Sequence, residues 1–460
     1  MARKPQNLYY LIIIFSFMIE IIISQQISQK QYLLIFRSRP SLNLLNKLRS
    51  KYSNVGKLIT FSENLYVLPG NFDMEFINNN DDNNDPSSQP GRDNDKKPWL
   101  IVEDHVVKIH NDFDDKSYRY YNRNRYQVVD HEENKASAQF LKNNQRKIYV
   151  QTGIDSWGLD RIDQRNLPLT KNYSCILSGG EGIDIYVIDT GIDINNPEFE
   201  GRARWGKNTI SESPDKDENG HGTFVAGIGS LSDVLYGLEY VLRAHQSKNN
   251  RTPTITNLSL GTEYSRALNI VINNIVNQGI VMVVAAGNGN KYGIGIDACN
   301  TSPASASSVI TVGATDINDH IANFSNYGRC VDLFAPGDFV SSVTLPLDKD
   351  FLRSGTSFST PYVTGVIALL IDYFEDAGSK LTPDLIKRNL KILATKNVIG
   401  GLGRTNSPDL LAYSQVQELR SHGGNSVGMI WCGSGSKSWF LFNLISRYIL
   451  IELVRFLLVK

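Results

Sequence analysis

Apolar and polar positions alternate in QYLLIFRS (31–38) and PWLIVEDHVVKIH (98–110), a period of two that predicts strands. Between them SLNLLNKLRSKY (41–52) has helical spacing, and KLITFSENLYVLPGNFDMEF (57–76) supplies further strand-like text. The Asn/Asp run at 77–97 interrupts this unit and predicts a disordered loop. Residues 111–150 are polar and charged with no apolar period, which predicts a linker. From residue 151 the pattern changes. Buried-strand runs IDIYVID (183–189), VMVVAAG (281–287) and SVITVGA (308–314) are separated by helical segments such as YSRALNIVINNIVNQG (264–279). Strand alternating with helix predicts an α/β domain with a parallel sheet, over 151–415. Working residues in such sheets gather at the carboxyl ends of the strands.

The two ends carry different signals. Arg3 and Lys4 followed by an apolar run ending at Ser24 predict a secretory signal over 1–26, with Glu20 arguing against an uncleaved anchor. The segment Trp439–Val459 is apolar but interrupted by Arg447, Glu452 and Arg455. It predicts an amphipathic surface helix in a tail (416–460) without an assigned role, rather than a membrane span. Lys plus Arg and Asp plus Glu each number 47, so the formal net charge is zero, which argues against a nucleic-acid partner. Four cysteines and no CxxC pair exclude a disulfide scaffold and a zinc ribbon.

Three residues stand at predicted element ends. Asp189 closes IDIYVID, His221 sits between glycines in NGHGTFVAGIGS, and Ser357 lies at the mouth of the apolar helix in SGTSFSTPYVTGVIALLIDYF. Acyl transfer needs a hydroxyl, a base and a carboxylate that orients the base, and Asp…His…Ser is one known triad order. A helix N-terminus behind Ser357 places partial positive charge where an oxyanion forms, and Asn288 in VVAAGNGN offers a second donor.

The blocks VIDTGID, NGHGTFVAG, AAGN and SGTSFSTP resemble the four signature blocks of the subtilases, nearest the proteinase K and cerevisin branch. The resemblance implies a subtilisin-like parallel sheet flanked by helices, preceded at 27–110 by a small α+β inhibitory propeptide. It implies a secreted serine endopeptidase acting on protein or peptide substrates, extracellular with vacuolar or cell-surface placement as variants. The enzyme would be made as a zymogen, cut near 145–151 and inhibited by its own propeptide. Asp189 then orients, His221 is the base, Ser357 attacks and Asn288 serves the oxyanion hole. Ser259, Leu260 and Gly261, with Ala285, Ala286 and Gly287, line the substrate site, so a glycan at the Asn257 sequon is discounted. The chemistry needs no cofactor. Resemblance also implies a disulfide between Cys299 and Cys330, and a structural calcium on Asp316 with the carbonyls of Ser307 and Val309.

One departure is large. Only 36 positions separate His221 from Asn257, about 20–25 fewer than the family pattern, and Gly227–Ser230 runs straight into the helical text of 231–245. No Val/Ile/Leu-rich run between 226 and 252 replaces the strand expected there. The sequence therefore predicts a sheet one strand short beside Asp189, without the second wall that clamps an extended substrate, and a chain of poor solubility and activity. Two functions stand open: an active serine endopeptidase, or a homologue without catalysis, serving as a binding protein or arising by exon loss.

Overall fold

The computed structural model describes residues 31–52, 54–73, 75–77, 97–107, 113–114, 139–141, 148–176, 180, 182–196, 199, 201–209, 215, 217, 229–249, 252–342, 352–376, 381–403, 405–414, 427–429 and 450–455. The expected leader, the Asn/Asp loop and most of the linker lie outside these residues. The chain divides into two compact units, Met1–His105 and Val106–Lys460.

In the first unit, strands β1 (Gln31–Phe36), β2 (Ile59–Ser62), β3 (Leu65–Asn71) and β4 (Leu100–Glu103) form a sheet in the order β2-β3-β1-β4. Helix α1 (Leu42–Lys51) starts where Ser41 Oγ accepts the Leu44 N–H at 3.2 Å. Leu45 and Leu48 of α1 share a buried cluster with Leu34 and Phe36 of β1 and Leu68 of β3. This is the α+β unit that the alternating text predicts.

The second unit opens with the two-residue strand β5 (Val106–Val107) and helix α2 (Trp157–Asp163). Its sheet elements follow: β6 (Asp184–Asp189), β7 (Ala203–Asn208), β8 (Gly229–Ser230), α3 (Leu231–Ser247), β9 (Thr254–Leu258), α4 (Arg266–Val276), β10 (Val281–Ala285) and β11 (Ile310–Thr315). Then come β12 (Leu333–Pro336), α5 (Thr356–Asp376), α6 (Pro383–Leu393), β13 (Thr395–Lys396), β14 (Leu410–Leu411) and β15 (Leu450–Arg455). Nine strands make one sheet in the order β7-β15-β6-β9-β10-β11-β12-β14-β13. All neighbours are parallel except β13 and β14. Its central strands are fully buried, as runs without alternation require in a sheet covered on both faces.

The expectation of a missing strand is corrected here. Beside β6, in parallel register from Asp184↔Leu450 to Asp189↔Arg455, lies β15 from the C-terminal segment. Its other edge pairs with β7, from Ala203↔Ile451 to Asn208↔Arg455, with an irregularity between Trp205 and Lys207. The tail therefore supplies a strand where the sequence predicted a surface helix. LIELVR is short and mostly aliphatic, and such a run satisfies a strand once both of its edges find partners.

The shortened connection has a local reason to be sound. Ser230 Oγ accepts the Asp233 N–H at 3.2 Å, and Asp233 Oδ2 accepts the Ser230 N–H at 3.0 Å. This reciprocal capping box starts α3 directly after β8. On its other side Gly229–Ser230 pairs antiparallel with Val106–Val107.

Candidate active site

Asp189 ends β6 and is fully buried. Its Oδ1 accepts the Thr190 N–H at 2.6 Å, and the Thr190 hydroxyl stands 3.2 Å from that oxygen and 3.1 Å from Asp217 Oδ1. One hydroxyl proton lies between two carboxylates, which ties the buried Asp217 to the same corner. Neither Thr190 nor Asp217 was singled out in the sequence. The signal for Asp217 is its place four residues ahead of His221. His221 itself lies outside the described residues.

Ser357 is the second residue of α5, fully buried, so the positive end of the helix is at hand. Asn288 follows β10 and is 2% exposed. Its Oδ1 accepts both the Thr356 N–H and the Thr356 hydroxyl at 2.8 Å, while Thr356 Oγ1 accepts the Gly287 N–H at 3.0 Å. With the oxygen end engaged twice, the orientation of the amide is fixed and Nδ2 is its donor end. Thr356, adjacent to Ser357, thus couples the Asn288 loop to the start of α5. Sequence reasoning missed it, although the SGTS text contains it.

Leu260 and Gly261 follow β9 and are buried. The Ser259 hydroxyl donates to the Ser357 carbonyl at 2.9 Å, so it supports the start of α5. Ala285 ends β10 in the sheet. The Ala286 N–H donates to Val312 O and its carbonyl accepts from Asn326 Nδ2, both at 2.9 Å. The Gly287 carbonyl accepts the Asn326 N–H at 2.9 Å. Residues 286–287 are therefore held rigidly by their own backbone hydrogen bonds. Asn257 is 1% exposed with its amide engaged at both ends, which bears out discounting a glycan there.

Cys299 and Cys330 form a disulfide with a Cα–Cα distance of 5.3 Å and a separation of 31 residues. It ties the segment after β10 to the segment before β12, a closure of roughly 3–4 kcal/mol in the chain-entropy view.

The calcium expectation is corrected. Lys387 of α6 donates to the Val309 carbonyl at 2.6 Å, lies 3.5 Å from the Ser307 carbonyl, and is 2.8 Å from Asp332 Oδ2. Lys391 reaches Asp332 Oδ1 at 3.1 Å. Asp316 instead closes its own turn, its Oδ1 accepting the N–H groups of Asn318 and His320 at 2.9 Å. Calcium takes six to eight oxygens. Here an ammonium already occupies the carbonyls, so these residues do not fit the ion, and no group of three or more His, Cys, Asp or Glu side chains suited to a metal exists among the described residues. Lys387→Met should cost about 2 kcal/mol by removing the donor to the Val309 carbonyl and one of the two lysines beside Asp332. Thermal unfolding of the parent and variant chains checks this; equal melting temperatures would contradict it.

A profile described as "Subtilase family" matches residues 229–408. The subtilisin-like serine protease Rho m 2.0101 of Rhodotorula mucilaginosa is 37% identical over 298 residues, covering 56% of this chain and 85% of that protein. The chain belongs to the subtilase family. This subtilase also matches cerevisin of Saccharomyces cerevisiae at 36% identity over 317 residues, covering 60% of the chain and 48% of cerevisin, which places it on the expected branch. The solved structure of a cold-adapted subtilisin-like serine proteinase aligns at 35% identity with a TM-score of 0.48, covering 57% of this chain and 99% of the other. The family is one of serine-type endopeptidases, and subtilase chemistry requires no cofactor. No described helix of this subtilase is long and apolar enough to cross a membrane.

Proposed function

We propose that this subtilase is a secreted serine endopeptidase made as a zymogen, with Asp189, His221 and Ser357 as its triad. The observation that carries the reading is the Thr356 clamp, which fixes the Asn288 amide beside the nucleophile. Ser357 Oγ attacks the carbonyl carbon of a peptide bond while His221 takes its proton, and Asp189 orients the imidazole and stabilises its charge. Negative charge on the carbonyl oxygen is met by Asn288 Nδ2 and the N-terminal end of α5. The tetrahedral adduct collapses, the C–N bond breaks and His221 returns the proton to the leaving amine. Water then hydrolyses the acyl-enzyme with the same base.

Residues 27–110 act as the inhibitory propeptide, and the leader at 1–26 directs secretion. The antiparallel addition of Val106–Val107 to Gly229–Ser230 supports β8 as one rail for an extended peptide. Leu260–Gly261, after β9, form the facing rail. The processing region at 145–151 overlaps the strand Ile148–Thr152, which pairs with Asn172–Ile176.

The test is Asn288→Ala in the processed chain. Peptide hydrolysis should lose about 10²–10³ in kcat with KM nearly unchanged, since the donor acts on the transition state. An unchanged kcat would remove Asn288 from the oxyanion site.

A further inference from the structure

Helix α5 carries a defect next to its most important residue. Pro361 lies four positions after Ser357, within the helix. In an α-helix the Ser357 carbonyl would accept the N–H of residue 361, and proline has none. The carbonyl is buried with the rest of Ser357, where an unmet acceptor is costly.

The missing donor comes from outside the helix. Ser259 Oγ donates to the Ser357 carbonyl at 2.9 Å. That hydroxyl in turn accepts from Asn257 Nδ2 at 2.9 Å, and Asn257 Oδ1 accepts from the Thr364 hydroxyl at 3.1 Å. Thr364 stands on α5 itself and also lies 3.1 Å from the Thr360 carbonyl. Asn257, Ser259 and Thr364 are 1%, 0% and 3% exposed, so water does not compete for these bonds. The Thr364 hydroxyl shares its one proton between Asn257 Oδ1 and the Thr360 carbonyl, and from Asn257 through Ser259 the donors point toward the carbonyl of Ser357. Such a chain is mutually polarising.

We propose that Ser259, oriented by Asn257 and Thr364, is a positioning residue that replaces the helical N–H removed by Pro361 and so sets where Ser357 presents its hydroxyl. This rests on Ser357 being the nucleophile. Pro361 loosens the first turn from the helix ladder, and the relay re-anchors it to the end of β9. The nucleophile is thereby tied to the strand from which the Leu260–Gly261 rail departs. A shift of a fraction of an ångström at this carbonyl moves the attacking atom, and misplacement is expensive in rate.

The experiment uses the full chain and reads the rate of covalent labelling by a fluorophosphonate alongside the melting temperature. Ser259→Ala should slow labelling about tenfold. Adding Pro361→Ala to that variant supplies an N–H at 361 and should restore labelling to within about threefold of the parent chain. A packing role for Ser259 would not respond to a backbone donor on another element, so a double variant as slow as Ser259→Ala overturns the proposal. Parent-like labelling of Ser259→Ala overturns it too. Should Ser259→Ala fail to fold, Thr364→Val removes only the outermost donor. It should slow labelling about threefold, and an unchanged rate again overturns the relay. Ser357→Ala is the control: labelling of that variant at the parent rate would refute the nucleophile assignment itself, whereas loss of labelling there with no effect at Ser259 would refute only the relay.

Discussion

A chain ending at residue 449 is expected to be insoluble or to melt without a cooperative transition. The C-terminal strand pairs along six positions with β6 and along five with β7. Its removal exposes the facing backbone groups of β6, whose six residues are all buried. Each stranded N–H or C=O costs about 1–3 kcal/mol, against a total stability of about 5–15 kcal/mol for a domain. A few such groups are enough to unfold it. The loss would also free the end of the strand that carries Asp189, since the register closes at Asp189↔Arg455. A milder version is Leu453→Pro, which deletes one ladder donor within the strand and should lower the melting temperature sharply. Soluble expression and thermal unfolding of the truncated and full chains decide the matter. Equal melting temperatures would mean that the slot between β6 and β7 does not depend on this segment.

Ser357→Ala should abolish self-cleavage near the linker and leave a precursor that retains residues 27–110. A triad acts as a unit, so loss of the nucleophile costs about as much as loss of all three members, roughly 10⁶ in kcat. The variant keeps the backbone of α5, including the carbonyl held by Ser259, so folding is preserved. Gel analysis of the purified variant, with mass spectrometry of its termini, checks the outcome. Cleavage at the same bond in the variant would make another protease the processor.

Much of this architecture is written in local text. The buried runs of β6, β10 and β11 are legible because a parallel sheet covered on both faces demands uninterrupted aliphatic residues. Helix α3 is legible for a second reason, the Ser230–Asp233 capping box at its start. Asp189, Ser357 and Asn288 could be placed because each stands at an element end inside a distinctive block. What escaped the sequence depends on distant partners. The aliphatic run 450–455 resembles a short helix face as well as a strand, and only the vacancy between β6 and β7, more than 240 residues earlier, decides between them. The cation beside Val309 comes from α6, and no pattern near residues 307–316 announces Lys387. The NLSLG text shows Ser259 only as part of a strand end and gives no sign of a partner on α5. Its bond to Ser357 crosses 98 positions and exists because Pro361 withholds a donor.

A complete sheet and a competent nucleophile are the two halves of one claim, and a single measurement joins them. The 460-residue chain and its 449-residue truncation are each treated with a fluorophosphonate, and their intact masses and Ser357 peptides are analysed. The full chain should carry one adduct, on Ser357, and the truncated chain none. An unmodified full chain, or labelling of the truncated chain at the same rate, would contradict the assignment of an active subtilase whose sheet is completed by its own C-terminal strand.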